Sequence, residues 1–280
     1  MSPETIVSGL AFPECPRWHD GFLYFSDMHD GIVWRIEPGG ATKVVDVPNC
    51  PAGLGWLSDG TMQIVSMTDR KLLRLTKSGL TVAAEMSALM PQNANDMVIS
   101  ADDRAYIGNF GFDLNHGERM KPTVLVAVDR AGKMSVAADE MLFPNGPAIT
   151  PDGKTLLVAE TWGARITAFD IQPDGSLSGR RVYAPLPDDV YPDGICLDAE
   201  GGVWVSCAAL PKIIRVAPGG AITHDISLPG RNSYACMLGG ADRRDLYICT
   251  AEDHLPDKTV KLRSGRIEKI RVDIPGAGLP

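Results

Sequence analysis

The sequence contains relatively few basic residues, and this limits the partners that it can bind. Lysine and arginine together number 27 against 35 aspartate and glutamate residues, so the formal net charge is −8 and the isoelectric point is about 5.1. Nucleic acids and anionic membrane surfaces attract basic protein faces. We therefore expect neither a nucleic acid nor a membrane among the partners of this chain.

Long apolar runs and a secretory leader are also missing. No stretch of about 18 apolar residues could cross a bilayer, and the start Met-Ser-Pro-Glu-Thr lacks the basic and apolar regions of a signal peptide. The six cysteines are scattered without a Cys-x-x-Cys pair, which favours reduced, buried thiols over disulfides or a zinc cage. Together these absences predict a cytoplasmic protein.

A nucleophile motif is missing as well. Gly-x-Ser-x-Gly does not occur, and no serine or cysteine lies beside a histidine in a nucleophile motif, so covalent acyl transfer is disfavoured. The chain does have an ordinary globular composition, with 44% apolar and 22% charged residues. This composition is ample for a large core.

The stretch 143–161, FPNGPAITPDGKTLLVAET, has a form that recurs along the chain. It contains a corner with Asn145, a short apolar strand, the turn Asp152-Gly153 and a second apolar strand. Asp-Gly between two apolar runs is a strong hairpin signal, because glycine adopts positive φ without steric cost. We therefore expect each copy of this form to begin with a hairpin.

Six copies follow one another at spacings of roughly 38 to 50 residues, each with about four short strands between Gly, Pro and Asp turns. Self-similarity of this period is typical of propeller blades. We predict an all-β fold, a six-bladed β-propeller with four-stranded blades, formed by residues 1–280 as a single domain. The strand before Pro13 could complete the last blade.

The first strand of each propeller blade lines the central channel, and its first residue lies at one mouth of that channel. Aligning the copies on the turn after their first strand places one residue of each copy at this mouth. In five copies the acidic turn residue follows this position by seven residues, and in the first copy the register agrees within one residue. The six equivalent positions are Glu14, Ala52, Asn95, Asn145, Asp193 and Ala235.

Four of these positions carry carboxylate or amide oxygens, which are the ligands that hard divalent cations prefer. Glu14 and Asp193 would balance the charge of the cation, and Asn95 and Asn145 would add neutral oxygens. Asn and Asp-Gly at strand starts are also good turn formers, so turn chemistry is the alternative explanation. Glu14 is a poor turn residue and does not fit that alternative. We therefore predict a central metal site.

Several motifs resemble the senescence-marker-protein, gluconolactonase and luciferin-regenerating-enzyme family of six-bladed propellers over nearly the whole chain. They are the segment 13–18 (PECPRW), Asn95-Asp96, the segment 143–146 (FPNG), the segment 192–194 (PDG) and the segment 236–240 (CMLGG). The resemblance implies one bound divalent cation held by Glu14, Asn145 and Asp193 with Asn95 beside it. It implies Ca²⁺ first, with Zn²⁺ or Mn²⁺ as substitutes. It also implies hydrolysis of a lactone, a cyclic ester.

Three departures from the family pattern bear on the substrate. Asn93 stands where sugar-lactonase members carry an arginine, Asp113 is one methylene shorter than the usual glutamate, and Cys15 replaces a glycine beside Glu14. These departures favour a less hydroxylated or aromatic lactone over an aldonolactone, with blade packing as the alternative role of the aromatic residues. The predicted substrate-binding residues are Asn93, Asn95, Asn109, Asp113, Trp18 and Phe110, with Phe112 and Trp162 as further pocket walls.

Asp193 is the predicted general base. A carboxylate with a free oxygen can deprotonate the attacking water while the cation polarises the lactone carbonyl. Glu160 and Thr161 end a second strand at the same mouth and are candidate supporting residues, as is Asn109. His116 lies in an insertion after the second strand of blade three, where it could belong to a lid or to a solvated loop.

Two other functions stay open from the sequence alone. One is a related esterase or organophosphate hydrolase that uses the same metal cage. The other is a non-enzymatic binding propeller with a structural metal, because propellers host many functions.

Overall fold

The computed structural model describes residues 2–280, which are folded almost entirely as short antiparallel strands. The strands of this part of the chain are β1 (Glu4–Leu10), β2 (Pro13–His19), β3 (Phe22–Asp27), β4 (Ile32–Glu37), β5 (Gly40–Asp46), β6 (Pro51–Trp56), β7 (Met62–Ser66), β8 (Lys71–Thr76), β9 (Gly79–Glu85), β10 (Ala94–Ile99), β11 (Ala105–Asn109), β12 (Thr123–Val128), β13 (Met134–Met141), β14 (Pro144–Ile149), β15 (Thr155–Glu160), β16 (Arg165–Ile171), β17 (Leu177–Pro185), β18 (Pro192–Leu197), β19 (Val203–Cys207), β20 (Lys212–Val216), β21 (Ile222–Ser227), β22 (Asn232–Gly239), β23 (Asp245–Ala251) and β24 (Gly265–Arg271). One α-helix, α1 (Pro256–Leu262), lies between β23 and β24.

The strands form six four-stranded sheets, which are the blades of a propeller. Five blades use four consecutive strands each, from β2–β5 in blade one to β18–β21 in blade five. Blade six has the order β1-β24-β23-β22, so the N-terminal strand becomes its outermost strand. The predicted six-bladed propeller is confirmed, and so is its completion by the strand before Pro13.

The glycine and aspartate residues of the predicted hairpin turns explain why these turns form. In the turn between β14 and β15, Gly153 adopts φ of 71° and its N–H donates to the Thr150 carbonyl at 2.9 Å. The Asp152 carboxylate accepts from the Thr150 hydroxyl at 2.6 Å and from the Lys154 N–H at 3.1 Å. These contacts fix the first two strands of the blade against each other.

The core lies between neighbouring blades, so the innermost strands are covered on both faces. Every residue of β14 and of β18 is buried, whereas most of the outermost strand β21 is exposed. A strand that is buried on both faces shows a continuous apolar run rather than alternation.

The C-terminal tail lies across the ends of the innermost strands. The Leu279 N–H donates to the Ile149 carbonyl at 2.9 Å and the Ala277 N–H donates to the Leu197 carbonyl at 3.0 Å. Ile149 and Leu197 are the last residues of β14 and β18, so the tail covers the mouth of the channel that is opposite to the first residues of these strands.

The six cysteines, all within residues 2–280, are free thiols, and five of them are buried. The helix found in this part of the chain is too short to span a membrane.

Candidate functional site

Each innermost strand has a break in its pairing register near its first residues. The breaks fall between Ala94 and Met97 in β10, between Pro144 and Pro147 in β14, and between Pro192 and Ile195 in β18. A β-bulge of this kind takes residues out of the ladder and re-aims their side chains. Asn95, Asn145 and Asp193 lie inside these bulges, which accounts for their turning toward the channel instead of into the sheet.

The backbones of neighbouring innermost strands approach one another closely at the bulges. A Cβ added at Gly146 would lie 2.6 Å from the Cα of Gly194, and one added at Gly194 would lie 2.6 Å from the Cα of Ala235. Only glycine permits this approach, because real Cβ atoms essentially never come so near to backbone atoms. The glycine that follows Asn145 and the one that follows Asp193 therefore bring blades four, five and six together at the channel.

The four predicted ligands line a single cavity of about 570 Å³ at this mouth of the channel. Glu14 and Asn95 are each 5% exposed, Asn145 is 7% exposed and Asp193 is 9% exposed. The other lining residues are Phe12, Met28, His29, Cys50, Met67, Thr68, Asn93, Phe110, Leu114, Phe143, Thr161, Trp162, Tyr191, Ala208, Ala209, Tyr234, His254, Pro256, Asp257 and Val260.

Burial of two carboxylates so close together disfavours their charged forms. Burial raises the pKa of Glu14 well above its usual range, and the nearby Asp193 carboxylate raises it further. Burial also raises the pKa of Asp193, as does the Asp96 carboxylate, while hydrogen bonds from the Asn145 side chain and the Gly194 N–H oppose the rise. Both carboxylates would ionise together only beside a positive charge.

The Asn145 side-chain amide is oriented in a way that suits a cation. Asn145 donates its Nδ2 to the Thr161 hydroxyl at 3.2 Å, and this hydroxyl donates to the Pro192 carbonyl at 2.8 Å. The Asn145 amide oxygen is therefore free to contact a group in the channel. The buried Nδ2 of Asn95 has no hydrogen-bond partner within residues 2–280, so it can still donate to a bound molecule.

This donor set fits a hard divalent cation. Two carboxylates and two amides supply oxygen ligands and two negative charges, as Ca²⁺ sites do. The described part of the chain has no cluster of three or more His, Cys, Asp or Glu side chains, which is the usual composition of a zinc site. Glu14, Asn95, Asn145 and Asp193 are therefore the residues that would hold a metal.

The sequence missed Tyr234, which lines the cavity in blade six. The register break in β22 falls between Ser233 and Ala235, so Tyr234 occupies the position that was assigned to Ala235. Ala235 instead belongs to the apolar core. The assignment was wrong by one residue because the bulge of blade six contains one residue fewer than the bulges of blades three to five.

The Tyr234 hydroxyl is a buried group that points to a ligand. Its side chain is 2% exposed, and no acceptor with hydrogen-bond geometry faces the O–H anywhere in the described residues. Burial raises the pKa of this phenol, although the nearby Asn232 side chain partly opposes the effect. The phenol therefore keeps its proton and can donate it in a hydrogen bond to an oxygen in the cavity.

Besides Asn95, two further predicted substrate residues line the cavity. They are Asn93 and Phe110. The Phe110 ring stacks on Phe143 at a centroid distance of 4.6 Å. Trp162 lines the cavity as well, while Phe112 lies behind the wall and packs against both Phe143 and Trp162. The aromatic residues thus divide between the cavity wall and the packing that supports it.

Trp18 is not part of the cavity, and its assignment was wrong. Its ring packs against Gly239 and stacks on Tyr247 at a centroid distance of 5.8 Å. It lies four residues after Glu14 along β2, which carries it about 13 Å away from the mouth. Its side chain therefore belongs to the contact between blades one and six.

Asn109 and Asp113 do not line the cavity either, so their predicted substrate contacts are not supported. The Asn109 amide donates to the Val124 carbonyl and accepts from the Thr123 hydroxyl, both at 2.7 Å, which joins β11 to β12. Asp113 accepts from His116 through the backbone N–H at 3.1 Å and contacts the ring Nδ1 at 2.9 Å. His116 itself is largely exposed.

Glu160 and Cys15 are structural as well. The fully buried Glu160 carboxylate accepts from the Leu142 N–H at 2.7 Å and pairs with Arg165 at 2.9 Å. Cys15 is 1% exposed, and burial raises the pKa of its thiol well above the usual range. A buried thiol that keeps its proton is a poor nucleophile, in agreement with the sequence.

Helix α1 forms the outer wall of the cavity on the side of blades six and one. The Thr259 hydroxyl meets His29 Nδ1 at 2.6 Å, and Arg263 pairs with Asp30. Burial and the neighbouring His254 lower the pKa of His29 to about 4, so this ring is neutral at pH 7. These contacts hold the helix against the turn after β3.

The fold and the site together define a class, the six-bladed propellers with an oxygen-donor site at one mouth of the channel. Residues 12–252 match the family described as "SMP-30/Gluconolactonase/LRE-like region", and the chain belongs to this family. The resemblance seen in the sequence is thereby confirmed.

Two relatives and one solved structure illustrate the similarity. The regucalcin of Danio rerio is 30% identical over 250 residues, which cover 85% of this chain and 82% of the relative. The 6-deoxy-6-sulfogluconolactonase of Pseudomonas putida is 24% identical over 277 residues, covering 95% and 93%. A calcium-binding protein, regucalcin, from Agrobacterium tumefaciens str. C58 shares the fold with a TM-score of 0.83 at 20% identity, covering 100% of this chain and 96% of that one.

Proposed function

We propose that this protein is a metal-dependent lactonase, which hydrolyses a small-molecule lactone to the open hydroxy acid. The observation that carries the proposal is the convergence of the buried residues Glu14, Asn95, Asn145 and Asp193 on one cavity. Membership of a family with gluconolactonases supports lactone chemistry. The calcium-binding regucalcins among its relatives support Ca²⁺ as the first candidate cation, with Zn²⁺ or Mn²⁺ next. Since all six cysteines are free thiols, we also propose a reducing, cytoplasmic location.

The cation, when bound, would polarise the lactone carbonyl and stabilise the negative charge that develops on its oxygen. Asp193 acts as the general base and takes a proton from the attacking water. The water oxygen forms a bond to the carbonyl carbon, the ring C–O bond breaks, and the leaving alkoxide receives the proton that Asp193 holds. Asn93 and Phe110 line the same cavity and would contact the bound lactone.

Tyr234 donates a hydrogen bond to the substrate in this proposal. Its buried hydroxyl lies near enough to Asp193 and Glu14 for their charges to affect its pKa. A preorganised donor of this kind stabilises charge on an oxygen, and loss of one such donor typically costs 10² to 10³ in kcat. The phenol complements the cation because it stays uncharged and does not compete for metal.

Tyr234→Phe is expected to lower kcat about a hundredfold with little change in KM, because the donor matters most when negative charge develops. Steady-state hydrolysis of one good lactone substrate measures both constants. The matched control is Tyr183→Phe, which removes a hydroxyl that donates to the Gly201 carbonyl away from the cavity. Equal kcat values for Tyr234→Phe and the unchanged protein would contradict the role given to this phenol.

Proton release from unsubstituted five- and six-membered lactones, measured with a pH indicator, tests the function. Chelator-stripped protein is expected to be inactive, and Ca²⁺, Mn²⁺ or Zn²⁺ is expected to restore activity. Faster hydrolysis of aryl esters or phosphotriesters than of any lactone would favour the esterase or organophosphate hydrolase. Tight metal binding without turnover of any ester would favour a non-enzymatic binding propeller.

A further inference from the structure

The cavity changes character between its deep end and its outer wall. The four oxygen-bearing residues at the deep end are each less than 10% exposed. The side chains nearest to solvent include Trp162, which is 41% exposed, and Val260, which is 38% exposed. The exposed lining residues also include Thr68, His254 and Asp257, and a lactone whose carbonyl reaches the carboxylates can extend its substituent past the apolar groups.

The apolar part of the wall is formed by residues of blades two, three and four. Met67, Phe110, Leu114, Phe143 and Trp162 line it, and the stacking of Phe110 on Phe143 joins two of the blades. None of these five side chains offers a strong hydrogen-bond acceptor, and the Trp162 indole offers the single N–H donor. Hydroxyl groups of a sugar ring held against this wall would lose water without gaining comparable partners.

Lysine and arginine side chains are missing from the cavity lining of the described residues. The chain has 27 Lys and Arg residues, but none of them is among the cavity-lining residues in the described part of the chain. The acidic residues that line it are Glu14, Asp193 and Asp257, and its histidines are His29 and His254. An anionic substituent would thus meet negative side chains and no lysine or arginine that pairs with it.

We propose that the cavity accepts an uncharged lactone with an apolar substituent, alkyl or aryl, which lies against the wall of Met67, Phe110, Leu114, Phe143 and Trp162. This inference rests on the proposed function and narrows its substrate class. Polyhydroxylated and anionic lactones are disfavoured. An apolar wall of this extent is typical of ligand cavities, in which a few polar groups fix the reacting end.

The first test is a homologous series of γ- and δ-lactones whose alkyl chain grows by one methylene at a time, with an aryl-fused lactone and gluconolactone for comparison. Each buried methylene is expected to raise kcat/KM about three- to fourfold until the cavity is full. Gluconolactone is expected to be on the order of a hundredfold poorer than the best alkyl or aryl lactone. A flat series with gluconolactone preferred would overturn the substrate class while upholding lactone hydrolysis.

A paired variant tests the wall itself. Leu114→Asn keeps the size of a wall side chain but makes it polar, so the gain per methylene is expected to fall. Met120→Gln is the control, because Met120 lies in the same insertion, is 42% exposed and does not line the cavity. An unchanged series in Leu114→Asn would contradict the placement of the substituent on this wall.

A gain-of-charge variant tests the exclusion of anions. Asn93→Arg places a cation in the cavity and is expected to raise kcat/KM for an aldonolactone with a terminal carboxylate at least tenfold. Asn93→Gln lengthens the same side chain without charge and is expected to give no such gain. Efficient hydrolysis of the anionic lactone by the unchanged protein would overturn this part of the inference.

Binding of lactams, which resemble lactones but resist hydrolysis, separates the two proposals. Calorimetry is expected to show affinity rising with alkyl length even if no lactone is hydrolysed. In that case the proposed activity fails and the ligand class holds. Tighter binding of a polyhydroxylated lactam than of any alkyl lactam would overturn the ligand class.

Discussion

Asp193→Asn is expected to lower kcat for lactone hydrolysis by a factor on the order of 10³ or more. The asparagine has the same size and keeps an oxygen that can contact a cation, but it cannot accept the proton of the attacking water. Initial rates of proton release at saturating metal measure the effect. The control is Asp152→Asn, which changes an exposed carboxylate in a blade turn and is expected to leave kcat unchanged.

Stability and metal binding show whether the lost activity comes from the missing base. Since burial raises the pKa of Asp193, the metal-free variant is expected to be at least as stable to urea as the unchanged protein. Calorimetry is expected to show weaker Ca²⁺ binding, because one negative ligand is lost. Full activity in a variant that binds Ca²⁺ would remove Asp193 from the mechanism.

The largest effect on stability is expected from Asp96→Asn. Asp96 pairs with Arg17 at the channel, where both side chains are 5% exposed or less. Arg17 also donates to the Leu54 carbonyl at 3.0 Å and to the Met97 carbonyl at 2.7 Å, so it joins blades one, two and three. Removing one partner leaves an uncompensated buried charge, which costs about 3–5 kcal/mol. The free energy of unfolding in urea measures the loss.

A double variant tests the reason for this loss. Arg17→Met together with Asp96→Asn is expected to be more stable than Asp96→Asn alone, because no unpaired charge stays buried. The control is Asp46→Asn, in a pair with Lys43 in which both side chains are at least half exposed, and it is expected to leave the urea midpoint unchanged. Simple additivity of the two single changes would show that the pair is not coupled.

The fold could be predicted from the sequence because every blade repeats the same local signals. Asp152-Gly153 and its counterparts mark the turns, and the fully buried first strands give continuous apolar runs. The register of Glu14, Asn95, Asn145 and Asp193 followed from the same repeat, and all four line one cavity.

The predictions that failed depend on features that a repeat alignment does not contain. Tyr234 was missed because its bulge is one residue shorter, which changes the register only locally. Trp18 was misplaced because aromatic residues look alike whether they line a cavity or join two blades. Val260 belongs to α1, a helix that the other blades lack, and the contact between Thr259 of this helix and His29 in the β3–β4 turn brings it to the cavity wall.

The order in which the blades are completed follows from the position of β1. Val7 pairs with Ile267, about 260 residues later in the chain. A ribosome makes β1 about 260 residues before its partner strand β24, so blade six cannot form until blades one to five have been synthesised. Joining ends so distant carries a large entropy cost before any contact is gained. We therefore expect blades one to five to acquire structure during translation, and closure of the ring to be the slow, final step of folding.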